Sequence, residues 1–205
     1  MGDRPVSRPS PWPRADGDLT FRRPVEADVG PVLQWRNDPR VTYWLLRTVA
    51  DEASLRAAVA EPEAGDHSVV VEQDGTVVAM GYLSVLDGMG QWHGDTHRGS
   101  RGLIGWTVAP AVWGRGVGTR VAGMLLRAAF EDLGLHRVTA GCFADNTASW
   151  RIMERLGMRR EQHGVQDSWH AELGWVDGYT YAMLRSEWTA ASPDDDAPPG
   201  GTLLG

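Results

Sequence analysis

Three glycines at alternate positions, Gly114, Gly116 and Gly118, separate an apolar run from a segment with helical periodicity. A glycine-rich turn at the start of a helix leaves main-chain N–H groups uncovered, and the helix dipole adds partial positive charge there. The turn is not a Walker loop, because no lysine stands between Gly118 and Thr119. It is not a dinucleotide fingerprint either, because Thr119 takes the place of the third glycine. We therefore expect an anion site, suited to a pyrophosphate, where the helix begins near Val117.

The elements around this turn predict a mixed α/β sheet with helices against it. Two strands flank Asp74-Gly75, which is a strong hairpin signal. Elsewhere strands alternate with helices, so hairpins and helical crossovers occur in one chain. The predicted strands are LTFRR, HSVVVEQ, TVVAMGYLSVL, GLIGWTV, HRVTAGCF and YTYAMLRSEW, and the predicted helices are EADVGPVLQWRN (ending before Pro39), residues 51–60, residues 117–134 and DNTASWRIMERLG.

The two ends of the chain lack a regular apolar face. Residues 1–18 contain four prolines, and the C-terminal end contains the run SPDDDAPPGG. Such composition is typical of disordered segments. We therefore expect a disordered tail over residues 1–18, one folded domain over residues 19–188 and a second disordered tail over residues 189–205.

Charge and composition exclude several classes of partner. The chain has 205 residues, 20 Lys plus Arg and 27 Asp plus Glu, for a net charge of −7. An acidic chain without a basic run argues against nucleic acid, which needs a basic face. The single cysteine, Cys142, forms no internal disulfide and no cysteine-based metal cluster, and no apolar run approaches the roughly 20 residues of a membrane span. These features predict a soluble, cytoplasmic protein with no membrane partner.

The stretch VAPAVWGRGVGTRVAGMLL resembles the coenzyme A pyrophosphate loop of the GNAT N-acyltransferase superfamily, whose pattern is Q/R-x-x-G-x-G/A. Trp113 stands where Gln or Arg is usual, a departure familiar in the subgroup that resembles ribosomal-protein N-terminal acetyltransferases. The segment ADNTASWRIMERLGMRRE is similar to that subgroup's second signature, and LTFRRPVEADVGPVLQWRNDPRVTYWL and WVDGYTYAMLRSEW resemble its amino-terminal and last elements. The resemblance covers residues 19–188.

This resemblance implies a single-domain GNAT fold, a mixed, mostly antiparallel sheet with splayed central parallel strands and flanking helices. It implies acetyl-CoA as the acyl donor and no metal. Val108 is the implied N–H donor to the thioester carbonyl. The implied coenzyme-binding residues are Val108, Trp113, Gly114, Arg115, Gly116, Val117, Gly118, Thr119, Asn146 and Ser149. For Arg115, a phosphate contact and a solvated surface position both stay open.

Asn146 and Ser149 each have a structural and a functional interpretation. Asn is among the best helix N-cap residues, and the resemblance adds that its side chain also faces the coenzyme arm. Many relatives carry a tyrosine that protonates the departing sulfur one turn after Ser149, but Met153 occupies that position. Ser149 is the candidate substitute, with plain capping as the alternative. Cys142 fits a buried, inert thiol better than a nucleophile.

A general base is harder to assign, although an alkyl amine with a pKa near 10.4 must lose a proton before it attacks. Relatives often carry Glu in the strand before the loop, where Leu103 stands here. The remaining candidates are His93, Asp95, His97, His170 and Glu172. His97 is the catalytic candidate that we adopt. His93, Asp95 and His97 also have a spacing that could bind a metal, but a solvated loop is the preferred interpretation.

The sequence thus predicts an acetyl-CoA-dependent N-acetyltransferase that acts by direct attack of an amine through a tetrahedral intermediate. The acceptor is a protein N-terminus or a small-molecule amine. Trp35, Trp44 and Trp92 fall in segments that border the acceptor cleft of the family, where an aromatic wall would suit a cationic acceptor. The alternative from another functional class is a non-catalytic acyl-CoA sensor. The sequence leaves open whether the protein forms a homodimer.

Overall fold

One mixed sheet of eight strands organises the chain in a computed structural model that describes residues 8–62, 65–91 and 97–191. The strands are β1 (Arg14–Asp16), β2 (Leu19–Arg22), β3 (Val69–Gln73), β4 (Thr76–Leu86), β5 (Arg101–Val108), β6 (Arg137–Phe143), β7 (Arg159–His170) and β8 (Gly174–Leu184). The helices are α1 (Val29–Arg36), α2 (Pro39–Thr42), α3 (Glu52–Ala60), α4 (Val117–Arg127), α5 (Thr147–Arg155) and α6 (Arg185–Ala191). The strand order is β1-β2-β3-β4-β5-β6-β8-β7.

Helices cover both faces of the sheet. On one face α4 and α5 enclose the main core, which includes Ile104, Leu125 and Met153. On the other face α1 and α3 pack over β3 and β4 through a smaller cluster around Val32 and Val70. The predicted architecture, a mixed α/β sheet with flanking helices, is confirmed. Within the described residues no helix is long and apolar enough to span a bilayer.

The predicted hairpin at Asp74-Gly75 joins β3 to β4. Asp74 and Gly75 have φ values of 50° and 74°, the left-handed pair that a two-residue hairpin turn requires. β4 then pairs with the whole length of β5, from Ala79 opposite Val108 to Leu86 opposite Arg101. This long pairing sets the position of β5 in the centre of the sheet.

The centre of the sheet opens between β5 and β6, its one parallel pair among the described strands. Their pairing runs only from Arg101 opposite Arg137 to Leu103 opposite Thr139. Beyond Leu103 the two strands separate, while β6 stays paired with β8 as far as Phe143. The predicted separation of the parallel strands is therefore present. The gap between them lies at the carboxyl ends of both strands.

The folded part begins earlier than the sequence predicts. Arg14–Asp16 pairs with β2, within the segment predicted to be a disordered tail. Trp12 explains the difference, because its buried ring stacks on Phe21 at 6.3 Å and its Nε1 donates to the His67 carbonyl at 3.1 Å. This aromatic anchor, together with ion pairs from Arg120 to Asp16 and Asp18, holds a proline-rich segment that has no periodic apolar face.

Two elements at the carboxyl end also differ from the prediction. β7 was not predicted, because it is a polar edge strand with an irregular register after Gly164 and lacks alternating apolar residues. The predicted last strand YTYAMLRSEW ends at Leu184, and Arg185–Ala191 is helical instead. The Glu187 carboxylate accepts the Leu184 N–H at 2.7 Å, a contact that satisfies a free donor at the start of α6.

Candidate coenzyme and acceptor site

The glycine turn adopts the conformation that the anion-site prediction needs. Gly114 and Gly116 have φ values of 75° and 77°, which L-residues with side chains rarely adopt. Gly116 is the N-cap of α4 and no side chain caps the helix, so the N–H groups of its first turn lack intrahelical acceptors. A Cβ built on either glycine meets nothing within 4 Å. The open side of the turn therefore presents donors and space together.

Gly118 has a different reason to be glycine. It lies inside α4, and a Cβ at this position would come within 3.0 Å of Ile152 Cδ1 and 3.6 Å of Val108 Cγ2. The missing side chain lets α5 approach α4 closely at the carboxyl end of β5. The alternation of glycines in the sequence thus combines two turn positions with one packing position.

Val108 presents its main chain to the gap between β5 and β6. Ala109 N donates to the Val78 carbonyl at 2.8 Å, so Ala109 faces β4. The N–H and C=O groups of successive strand residues point towards opposite neighbouring strands. The N–H and C=O groups of Val108 and Trp106 therefore point away from β4. The Val108 side chain packs towards α4, in contact with the main core. An N–H at this position is free to polarise a carbonyl placed in the gap.

Trp113 takes part in the site through a contact that the sequence did not predict. Its Nε1 donates to the Val108 carbonyl at 2.8 Å, and the ring is about half exposed. The Arg40 guanidinium lies 5.9 Å from the centre of the same ring. Asp38 caps α2 and binds Arg40 at 2.7 Å, which places the cation beside the glycine turn. The NDPR capping pattern signals this helix, but no sequence signal indicates its proximity to Trp113.

α5 begins on the β6 side of the same gap. Asn146 Oδ1 accepts the Ser149 N–H at 3.2 Å, so the predicted N-cap is present. The Ser149 hydroxyl contacts the Cys142 thiol, whose pKa burial raises to about 11 while Ser149 lowers it in part. Met153 is fully buried in the core. The structure thus brings Asn146 and Ser149 to the carboxyl end of β6, next to the carboxyl end of β5.

His97 does not reach this site, and its assignment as a catalytic residue is corrected. His97 precedes β5, and its carbonyl accepts the Gly88 N–H at 2.7 Å near the end of β4. Val108 is the last residue of β5, and the eight-residue strand extends over roughly 23 Å from the end near His97 to Val108. A thioester that Val108 polarises is therefore out of reach of the His97 imidazole. His93 and Asp95 lie outside the described residues.

His170 has a structural role. Its Nδ1 accepts the N–H groups of Glu172 and Leu173 at 3.2 and 3.3 Å, and its Nε2 lies 2.7 Å from the Tyr43 carbonyl. This pattern requires the neutral tautomer with the proton on Nε2, and leaves no free nitrogen to accept a substrate proton. The side chain is also buried. His170 is thereby excluded as the free base that the sequence allowed, whereas Glu172 remains exposed.

An aromatic cluster stands beside the gap on the face away from α4. The centre of the Trp44 ring lies 6.1 Å from that of Phe143 and 5.3 Å from that of His170. The centre of the Tyr43 ring lies 4.6 Å from those of Trp44 and His170. The cluster connects α2 to the carboxyl end of β6. Trp35 instead lies in α1 and packs against the smaller cluster, and Trp92 lies outside the described residues. One of the three tryptophans predicted to border the acceptor cleft is thus beside the gap.

Comparisons with known proteins agree with this geometry. The model of the family described as "Acetyltransferase (GNAT) domain" matches residues 18–159. The uncharacterized N-acetyltransferase YnaD of Bacillus subtilis is 35% identical over 85 residues, which cover 42% of this chain and 49% of that protein. This chain therefore spans about half the length of that relative.

Two further relatives match over more of their length. An aminoglycoside N(6')-acetyltransferase type 1 of Klebsiella pneumoniae is 22% identical over 154 residues, 72% of this chain and 77% of that protein. The structure of spermidine N-acetyltransferase from Vibrio cholerae in complex with CoA and spermine superposes with a TM-score of 0.72, at 17% identity, over 85% of this chain and 99% of that one.

The fold and the relatives place the chain in the class of proteins with an acetyltransferase-type α/β fold. Within that class, the chain belongs to the acetyltransferase (GNAT) domain family, whose model covers more than half of its residues.

Proposed function

We propose that this protein transfers the acetyl group of acetyl-CoA to a primary amine. The observation that carries the proposal is the separation of β5 from β6 beside the uncapped start of α4. A gap lined by free main-chain groups would hold an extended pantetheine arm as an additional strand. The adjacent N–H groups would hold the diphosphate.

The coenzyme contacts follow from the elements that meet at this gap. The N–H groups of Val117, Gly118 and Thr119 would donate to the diphosphate. Arg115 is exposed and has no partner in the part of the chain that the structure describes, so its guanidinium is available for a phosphate contact. Asn146 would bind the arm from the β6 side. Trp113 would hold the edge of β5 in place through the Val108 carbonyl.

The chemistry would be direct attack by a neutral amine. The Val108 N–H would stabilise the developing oxyanion, and positioning would supply much of the rate enhancement. As the C–N bond forms and the C–S bond breaks, the Ser149 hydroxyl would donate to the departing sulfur, and the excess proton of the amine would pass to solvent. A neutral, partly buried Cys142 thiol argues against an acyl-enzyme, because the thiolate is the reactive form.

A small amine is the acceptor class that we favour. By name, the aminoglycoside and spermidine acetyltransferases that resemble this chain act on such amines. The aromatic cluster of Tyr43, Trp44 and Phe143 beside the gap would suit a cationic group. A protein N-terminus, the acceptor of the ribosomal-protein acetyltransferases, is the alternative outcome of the test.

A non-catalytic acyl-CoA sensor is the second candidate. Met153 is buried at the position where many relatives carry the tyrosine that protonates the departing sulfur. Leu103 stands where relatives often carry a glutamate. No step in coenzyme binding depends on either residue. A sensor would therefore retain the glycine turn and the gap while losing turnover.

The experiment is incubation of the protein with acetyl-CoA and a panel of small amines and peptides, scored by thiol release and by the mass of the product. Acetylated amine and thiol in equal amounts support the enzyme. Tight binding of acetyl-CoA without thiol release for any acceptor supports the sensor. Ser149→Ala is expected to lower kcat by about tenfold, the loss of one hydrogen bond to the departing sulfur, with the affinity for acetyl-CoA unchanged.

A further inference from the structure

Tyr82 covers the centre of the separated strand β5. Tyr82 lies opposite Gly105 in the β4–β5 pairing. A Cβ built on Gly105 would come within 2.3 Å of Tyr82 Cε1 and 2.6 Å of its Oη. The ring therefore reaches from β4 across the Gly105 main chain, and its hydroxyl end lies over β5. Only glycine at position 105 leaves room for it.

The ring lies on the face of the sheet away from α4. The neighbouring Gly81 points to the other face, because a Cβ there would meet Leu125 of α4 at 3.1 Å. Side chains alternate between faces along a strand, so Tyr82 and Gly105 share the opposite face. The helices α4 and α5 cover the α4 face of the gap, so an amine has its open approach from the face that Tyr82 occupies.

Small residues surround the gap on this face. Gly105 and Thr107 lie on the β5 side, and Thr139 and Gly141 lie on the β6 side. Gly141 is exposed, which leaves the floor of the gap accessible. Tyr82 lies at one side of this shallow trough, and the cluster around Trp44 lies at the other. An acceptor that lies in it would contact the Tyr82 hydroxyl.

The hydroxyl itself is free to make that contact. It has no hydrogen-bond partner among the described residues, although the side chain is only 42% exposed. Burial raises the pKa of Tyr82 above its ordinary value, so the phenol is neutral at physiological pH. A neutral phenol can accept one hydrogen bond and donate another, but it does not act as a strong base.

We propose that the Tyr82 hydroxyl binds the acceptor amine and orients it for attack, which rests on the proposed acetyl transfer. The phenol oxygen accepts a hydrogen bond from an N–H of the neutral amine, so that the nitrogen lone pair points at the thioester carbon in the gap. The C–N bond then forms, the C–S bond breaks, and the amine proton goes to solvent. Tyr82 exchanges no proton with the substrate and acts as a contact to it.

A purely structural role is the rival interpretation, because aromatic rings often cover glycines in sheets. Two variants separate the roles. Tyr82→Phe keeps the ring on Gly105 and removes only the hydroxyl. Gly105→Ala keeps the hydroxyl and displaces the ring, because the added Cβ cannot coexist with it. If the role of Tyr82 were purely structural, only Gly105→Ala would lower the activity.

The test is steady-state kinetics with an amine that the wild-type protein acetylates, with the thermal unfolding midpoint as a control. Tyr82→Phe is expected to lower kcat/KM for the amine about tenfold, with an unchanged KM for acetyl-CoA and an unchanged midpoint. Gly105→Ala is expected to lower kcat/KM at least as much. Gly30→Ala, on the exposed side of α1 with open space at its Cβ, is the matched glycine control and should retain activity.

Wild-type kcat/KM in Tyr82→Phe would overturn the proposal, even if Gly105→Ala were inactive or unfolded. A wild-type protein that binds acetyl-CoA but acetylates no amine would instead count against the proposed function. The same Tyr82→Phe protein then tests the contact by equilibrium binding of a panel amine to the acetyl-CoA complex. A tenfold weaker affinity than wild type supports the contact, and equal affinity overturns it.

Discussion

Replacing Gly116 by Asp and, in parallel, by Asn separates charge from shape at the proposed diphosphate site. Gly116 has a φ of 77° and no atom within 4 Å of the position that a Cβ would take. Asn and Asp are the side chains that best tolerate this left-handed conformation, and both are good N-cap residues. Both variants should therefore fold with similar free energies of unfolding.

The two variants should differ in their affinity for acetyl-CoA. A carboxylate at position 116 would lie roughly 5 Å from the diphosphate, where one pair of unit charges repels by about 0.8 kcal/mol in water and about 3 kcal/mol near a protein surface. With two phosphate charges, even the lower value gives about 1.6 kcal/mol. This corresponds to a Kd that is more than tenfold weaker for Gly116→Asp than for Gly116→Asn.

Titration calorimetry with acetyl-CoA measures this difference directly. Raising the ionic strength should narrow the gap between the variants, because salt screens an exposed charge pair. The thermal midpoints of both variants serve as the fold control. Equal affinity of the two variants at low salt would refute the reasoning, because it would mean that the diphosphate does not approach the start of α4.

Three further predictions follow from contacts in the described residues. Cys142 should react with a disulfide reagent at pH 8 far more slowly than the same thiol in denaturant, because its pKa of about 11 keeps it protonated. A native rate as fast as the denatured one would contradict this raised pKa. Tyr181→Phe should lower the free energy of unfolding by about 1 kcal/mol, which corresponds to about 2–4 °C in the thermal midpoint, because it removes the 2.9 Å hydrogen bond from the Tyr181 hydroxyl to the exposed Glu154. An unchanged thermal midpoint would contradict a net contribution of this hydrogen bond to stability. His97→Ala should retain kcat within about twofold, because His97 lies at the opposite end of β5 from Val108, whereas a large loss with an unchanged midpoint would restore it as a candidate base.

Local patterns predicted the parts of the site that depend on the main chain. The turn at Asp74-Gly75, the glycines at 114 and 116 and the cap at Asn146 each require a residue type with a particular backbone preference, so the sequence carries a direct signal for them. The same residues position the gap, because they fix where β4, α4 and α5 begin.

Contacts between distant segments could not be predicted in this way. The bond from Trp113 to the Val108 carbonyl, the burial of Trp12 against Phe21 and the pairing of Tyr82 with Gly105 depend on packing that no short pattern encodes. His170 shows the converse error. A histidine in a polar segment reads as a candidate base, but both of its ring nitrogens are already engaged.

The account depends most on where the diphosphate binds. A crystal structure of the complex with acetyl-CoA tests this directly. We predict that diphosphate oxygens accept hydrogen bonds from the N–H groups of Val117, Gly118 and Thr119, with the thioester between β5 and β6. Coenzyme bound elsewhere, with the start of α4 unoccupied, would contradict the account.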